Sequence, residues 1–144
     1  MPREFLQLQD KEAVLQTYDI YKACMYLPTK EKFSQKVDGF LADNKVKVFS
    51  CQISGKTEGV LVLSLNDPQR PEILGIAVAE SSRQTGIGTF MIRQVMTRCH
   101  LSALYAETDD DAVGFYRKAD FQITPFTRVY DNIPVTRYRC LLTK

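Results

Sequence analysis

The stretch from Glu72 to Arg98 constrains this chain more than any other. It runs from an apolar segment, EILGIAVA, through a polar turn into TFMIRQVMTR, whose apolar residues recur at helical spacing. The turn carries Arg83, Gly86 and Gly88 in the pattern R-x-x-G-x-G. A strand feeding a helix through such a turn points several backbone N–H groups at one small volume. Those donors have no intrahelical partner and the helix dipole adds positive potential, so the volume favours a phosphate or pyrophosphate. A plain strand-to-helix turn that uses glycine for a tight bend gives the same short pattern, so the turn alone leaves both readings open. Two nucleotide-binding patterns fail. The third glycine of G-x-G-x-x-G is absent, because Phe90 and Met91 follow, and G-x-x-x-x-G-K-[ST] lacks both its spacing and its lysine.

The other elements are read from periodicity. REFLQL, residues 3–8, predicts a first strand, and Asp10 a plausible N-cap for a helix over about 11–26 carrying Val14, Leu15, Tyr18, Tyr21 and Met25. Pro28 breaks that pattern, and Thr29 caps a second helix with Phe33, Val37, Phe40 and Leu41 on its apolar face. Residues 45–53 alternate cleanly as a strand, Ser54-Gly55-Lys56-Thr57 predicts a hairpin turn, and EGVLVLSL a third strand. The strand over 72–79 is apolar on both sides, which predicts cover on both faces, and Gly75 predicts a bulge or a close backbone approach. The next helix buries Phe90, Met91, Val95 and Met96, points Arg93 and Arg98 outward and ends near His100. LSALYAET predicts a fifth strand. Thr108 to Asp111 then opens a helix with acids where the dipole favours them, and its body is AVGFYRKA. FQITPFTRVY and PVTRYRCLL predict a closing antiparallel hairpin. The order β-α-α-β-β-β-α-β-α-β-β implies a mixed α+β fold, a mostly antiparallel central sheet flanked by helices.

With 144 residues, no linker and no internal repeat, residues 1–144 are expected to form a single domain. A net charge of +2, with lysine and arginine scattered among acids, argues against a nucleic-acid partner. No run of about 18 apolar residues exists, so no membrane span is expected. The charged N-terminus does not fit a signal peptide, and a cytoplasmic location follows by default. Cys24, Cys51, Cys99 and Cys140 are widely spaced in apolar segments, which reads as free buried thiols rather than a metal site.

EILGIAVAESSRQTGIGTFMI, followed by DDDAVGFYRKADF, closely resembles the GNAT superfamily of acyl-CoA-dependent N-acetyltransferases. The resemblance is specific over 72–121 and topological elsewhere. It implies acetyl-CoA as co-substrate. Backbone groups of Ile76, Ala77 and Val78 would face the pantetheine arm and thioester. N–H groups from Arg83 through Gln84, Thr85, Gly86, Ile87, Gly88 and Thr89 would hold the pyrophosphate. Asp111 stands where the family often has a cofactor-contacting asparagine, and Tyr116 matches the tyrosine often proposed to protonate the leaving thiolate. Asp120 stands where the family usually has glycine before Phe121, a position that often takes φ > 0.

Acyl transfer from a thioester needs a neutral amine, a stabilised oxyanion and a proton for the sulfur. Glu72, at the start of the cofactor strand, is the base candidate by position, reaching the amine through a water. It reads equally as an ordinary charged strand end. For Tyr116 the plain reading is a half-buried helical aromatic, and for Arg83 a surface cation. His100 reads as a helix C-terminal cap rather than a catalyst, and Cys51 with His100 has no spacing that supports a nucleophilic pair. The resulting expectation is an N-acetyltransferase acting by direct transfer in a ternary complex, with no metal. The acceptor is a small-molecule or protein amine. Tyr18, Tyr21 and Tyr26 line the acceptor cleft, or else lie in the core or an interface. Homodimerisation through the final strands is left open. The rival reading is a non-catalytic CoA-binding or protein-interaction module of the same fold.

Overall fold

The computed structural model of the chain describes residues 2–144. Seven strands, β1 (Arg3–Leu8), β2 (Val46–Ile53), β3 (Lys56–Ser64), β4 (Glu72–Val78), β5 (Ala103–Thr108), β6 (Gln122–Tyr130) and β7 (Ile133–Thr143), form one sheet in the order β1-β2-β3-β4-β5-β7-β6. Every neighbouring pair is antiparallel except β4 with β5. Helices α1 (Lys11–Leu15), α2 (Tyr18–Tyr21) and α3 (Lys30–Ala42) pack on one face, and α4 (Ile87–Arg98) and α5 (Val113–Lys118) on the other. Val14, Tyr21, Phe33 and Val37 cover Val48, Val60 and Val62 on the first side. Met91, Ile92, Val95, Tyr116 and Phe121 meet Phe49, Leu61, Ile73, Leu104 and Cys140 on the second. No helix among the described residues is long and apolar enough to cross a membrane.

The caps follow from side-chain chemistry. Asp10 accepts from Ala13 N at 3.3 Å and Thr29 from Lys32 N at 3.1 Å. The long first helix expected from periodicity is broken, however. The buried Thr17 hydroxyl donates to Val14 O at 2.7 Å and its own N–H bonds the same carbonyl, so the chain ends α1, restarts as α2 and tightens into a 3-10 turn over Lys22–Cys24. The expected strand at 101–108 begins at Ala103, because Leu101 N–H closes α4 on Met96 O at 2.9 Å. That closure needs His100 in the left-handed region (φ 53°), so His100 ends the helix through its backbone.

The alternation in β2 does not mark a wet face. Val48, Phe49, Ser50 and Cys51 are all buried, since helices cover both sides there. On α4, Ile87, Gly88 and Ile92 join the buried face while Phe90 is half-buried. In β4 the expectation of cover on both faces fails at Leu74, which is 44% exposed. Val62 faces Gly75 while Leu63 faces Ile73, so Leu74 is the extra residue of a bulge.

Gly75 is required beside that bulge for a close approach. A Cβ there would fall on Tyr21 Oη and lie 2.6 Å from its Cζ, while Tyr21 is 3% exposed and held by Phe33 and Phe40. Gly75→Ala is therefore expected to cost about 1–3 kcal/mol by chemical denaturation. Adding Tyr21→Phe should recover part of the loss, because the hydroxyl is the atom struck.

Candidate functional site

The parallel strands β4 and β5 share one register pair, Glu72 with Tyr105, backed by Tyr105 N–H donating to Pro71 O at 2.8 Å. Past it the two strands part, and a gap opens in the sheet. Ala79 N–H donates to Glu58 O of β3 at 2.8 Å. By strand alternation the N–H and C=O of Ala77 also face β3, while those of Ile76 and Val78 face the gap. Among the sequence-predicted trio, Ile76 and Val78 therefore offer backbone groups to a ligand in the gap, and Ala77 has its own engaged in the sheet.

Side chains approach the gap from both faces. Cys24 Sγ donates to Tyr21 O at 3.2 Å and lies against the Ile76 N–H. The Cys24 residue is exposed, against the expectation of a buried thiol, yet its sulfur points inward. Loss of solvent around the sulfur pushes its pKa up to about 11, despite hydrogen bonds that favour the thiolate. From the other face comes Tyr116, 5% exposed and packed edge-on against Phe115 and Phe121. Burial raises its pKa, and negative charge on Cys140, Cys24 or Asp109 would raise it further. Tyr116 Oη makes no hydrogen bond among the described residues.

The glycine turn lies at the open end. After a 3-10 turn over Glu80–Ser82, Gln84 (φ 63°) and Gly86 (φ 86°) take left-handed conformations and Ile87 starts α4. Gly86 is the N-cap and gives α4 no side-chain cap, so the first N–H groups of the helix face outward. The two glycines have different reasons. Gly86 supplies the positive φ, whereas a Cβ on Gly88 would overlap Phe115 of α5, 2.8 Å from its Cζ. Arg83 is exposed and folds back, its Nε donating to Val78 O at 3.4 Å. Thr85 Oγ1 donates to Ser82 O, and Thr89 sits half-buried in the first turn of α4.

On the approach to α5, Asp109 accepts from the N–H groups of Asp111 and Ala112, each at 3.1 Å, while the Asp111 side chain is exposed. Asp120 takes φ 71°, the conformation a glycine would hold, and Phe121 N–H closes α5 on Tyr116 O at 3.1 Å. Glu72, at the closed end of the gap, is half-buried. Desolvation raises its pKa first and nearby Glu107 adds to this, against Arg70. Cys51 is buried in the core and His100 exposed at the far end of α4, so the two form no catalytic pair. No group of three or more His, Cys, Asp or Glu among the described residues is placed to hold a metal ion.

A splayed parallel pair beside an uncapped helix start is the geometry of a site for an extended, phosphate-bearing ligand. The family model of the Acetyltransferase (GNAT) family matches residues 14–121. The chain belongs to the GNAT acetyltransferase family. It is thus in an acyltransferase class of enzymes. Solved GNAT-type structures share the fold at low identity. A GNAT family acetyltransferase from Elizabethkingia anophelis with acetyl-CoA bound is 21% identical, with 99% of this chain and 98% of that one covered at a TM-score of 0.71. A Bacillus subtilis acetyltransferase in complex with CoA is 17% identical, with 99% of each chain covered and a TM-score of 0.71. Ard1 from Thermoplasma volcanium is 18% identical, with 99% and 98% covered and a TM-score of 0.75. No curated protein sequence matches the chain significantly.

In this GNAT chain two residues that periodicity did not single out brace the turn. Arg3 Nη2 donates to Thr85 O at 2.7 Å, with its guanidinium 5.3 Å from the centre of the Phe90 ring. Glu58, 8% exposed, accepts from Ser82 Oγ at 2.8 Å. The available signal for Glu58 was a carboxylate at the start of the otherwise apolar run EGVLVLSL. Of the three tyrosines weighed for the acceptor cleft, Tyr21 is buried core, Tyr18 is half-buried against Phe33, and Tyr26 is 87% exposed.

Proposed function

We propose that the chain acts as a single-domain N-acetyltransferase, moving the acetyl group of acetyl-CoA to a primary amine by direct transfer in a ternary complex. The observation that carries this reading is the gap between β4 and β5 opening onto the uncapped start of α4. The pantetheine arm would lie along Ile76 and Val78, with the Val78 N–H open to the arm and the Ile76 N–H reached where the Cys24 sulfur gives way to the ligand. A backbone donor aimed at the developing oxyanion contributes on the order of 3 kcal/mol. The pyrophosphate would sit on the turn from Arg83 to Thr89, with Arg83 swinging off Val78 O to meet it. Asp111, exposed and anionic, is the weakest fit in the proposed set, since a carboxylate repels phosphate where an amide would not.

In the transfer step the amine nitrogen attacks the thioester carbon and the C–S bond breaks. The amine proton passes toward Glu72 through a water, and CoA leaves as thiolate. Tyr116 stays protonated at working pH because its pKa is raised, so it acts as a hydrogen-bond donor to that thiolate. A hydrogen bond to a charged group is worth about 1.5–3 kcal/mol, so Tyr116→Phe is expected to lower kcat roughly 10–100-fold. The ring contacts with Phe115 and Phe121 survive, so thermal stability should hold. An unchanged rate across alkaline pH would remove this role.

The deciding experiment follows free thiol release from acetyl-CoA with an amine panel, varying both substrates. Intersecting initial-rate lines are expected for a ternary complex, and parallel lines would refute it. Tight acetyl-CoA binding with no turnover on any amine would favour the non-catalytic module.

A further inference from the structure

On the α1–α3 side the helices stop at β4, where Tyr21 closes over Gly75. Beyond β4 no helix among the described residues covers the same face, although Tyr105 is itself only 4% exposed, beneath the Arg70 side chain. The register places Tyr105, Glu107, Arg139, Arg137, Phe126 and Arg128 on it, and none of them belongs to either core cluster. Glu72 looks onto this face, because it pairs directly with Tyr105.

The charges on this surface do not balance. Both oxygens of Glu107 are engaged, Oε1 by Arg128 Nη2 at 3.1 Å and Oε2 by the Tyr105 hydroxyl at 2.8 Å. Three guanidinium groups, those of Arg70, Arg137 and Arg139, remain on this side of the sheet with Glu72 as the other carboxylate, and of the three only Arg70 lies close enough to lower the Glu72 pKa. Arg70 stacks on Tyr105 at 4.0 Å and Arg139 on Phe126 at 4.2 Å. Stacking fixes the plane of each and leaves its edge N–H groups free. Arg137 is half-buried, and its Nε is buried without a hydrogen-bond partner. None of Arg70, Arg137 and Arg139 has an ion-pair partner among the described residues. Buried donors are nearly always matched, so an orphan N–H among stacked guanidiniums asks for an anionic acceptor.

We propose that this bare face binds the acyl acceptor, and that the acceptor is an amino carboxylate: its carboxylate lies on Arg137 and Arg139, and its amine points to Glu72. The assignment rests on the N-acetyltransferase reading and names its substrate class. Arg137 and Arg139 are two residues apart on one strand, so their forks reach the same ligand group. Glu72 is level with Leu141 of β7, so Arg139 stands two residues and Arg137 four residues further along the strand. With two strand spacings across, their backbones lie roughly 12 and 16 Å from that of Glu72, a span for extended arginine and glutamate side chains with the ligand between them. A polycationic amine is disfavoured here by like charge.

The test measures thiol release with leucine, 4-aminobutyrate, the amide of each, spermidine and phosphoethanolamine. At least one amino carboxylate should exceed its own amide about 10-fold or more in kcat/KM, as expected for a charge-assisted pair. That ratio should fall toward one in Arg137→Ala and Arg139→Ala, through KM rather than kcat. Acetyl-CoA affinity measured on the same samples reports that the variants are folded. Equal or better turnover of the amides, of spermidine or of phosphoethanolamine would overturn the proposal, as would a ratio unchanged in both variants. If acetyl-CoA binds and no amine is acetylated, the catalytic reading fails separately. Calorimetry of the amino carboxylates against the CoA complex then still decides. Binding lost in Arg137→Ala supports the face, and absence of binding overturns it.

Discussion

Glu72→Gln is expected to lower kcat/KM for amine acetylation roughly 10²–10⁴-fold while acetyl-CoA affinity stays near that of the parent. The glutamate sits where β4 and β5 last touch, half-buried, and lack of solvent pushes its pKa above the ordinary glutamate value, with Glu107 adding to the shift. A carboxylate weakened as an acid in this way is a stronger base. That matters because a free alkylamine, with a pKa near ~10.4, must lose a proton before or during attack. The pH profile separates this role from deprotonation by bulk solvent. In the parent, kcat/KM should rise through the elevated Glu72 pKa and again as the amine deprotonates, and the glutamine variant should lose the first limb. Stability should move the other way. A carboxyl pKa raised in the fold contributes stability that is fully present below the unfolded pKa and lost as pH rises through the folded one. At pH 8 the ionised Glu72 is a cost, so the glutamine variant should be at least as stable as the parent. A fall in kcat/KM within about threefold would remove Glu72 from the reaction, and a melting temperature clearly below the parent at pH 8 would contradict the raised pKa.

What could be read in the sequence was what depends on neighbours along the chain. The turn from Arg83 to Thr89 announces itself because positive φ and close packing demand glycine at fixed offsets, and the α4 pattern follows at once. Asp120 shows the same logic in reverse. The backbone holds the left-handed conformation where the resemblance leads one to expect glycine, and aspartate tolerates it. What could not be read depends on contacts across the sheet. Arg3 meets Thr85 from 82 positions away and Glu58 meets Ser82 from 24, and no spacing rule connects them. The break between α1 and α2 hinges on one buried threonine hydroxyl that competes with the helix for a carbonyl. The same holds for β2, whose polar residues alternate although both its faces are covered. The arginines of the closing hairpin were visible as letters. That they share a bare face with Glu72 follows from where α1–α3 stop.

Gly86→Trp is expected to weaken acetyl-CoA binding by about 100-fold, near 2.7 kcal/mol, by calorimetry. Two effects add. Gly86 holds φ 86°, where an L side chain costs of order 1–3 kcal/mol, so the turn shifts and the first N–H groups of α4 lose their common aim. The indole also stands in the volume a pyrophosphate would fill. There is room for a small side chain, since an added Cβ meets nothing nearer than Arg3 Nη2 at 3.9 Å, so Gly86→Ala isolates the first effect from the second. The alanine variant should lose part of the affinity and the tryptophan variant nearly all of it. Gly88→Ala makes a third point. Its Cβ strikes Phe115 rather than the ligand volume, so its loss should show in thermal stability before it shows in acetyl-CoA affinity. Unchanged affinity in Gly86→Trp would place the phosphates elsewhere. The start of α4 would then be a tight bend and nothing more.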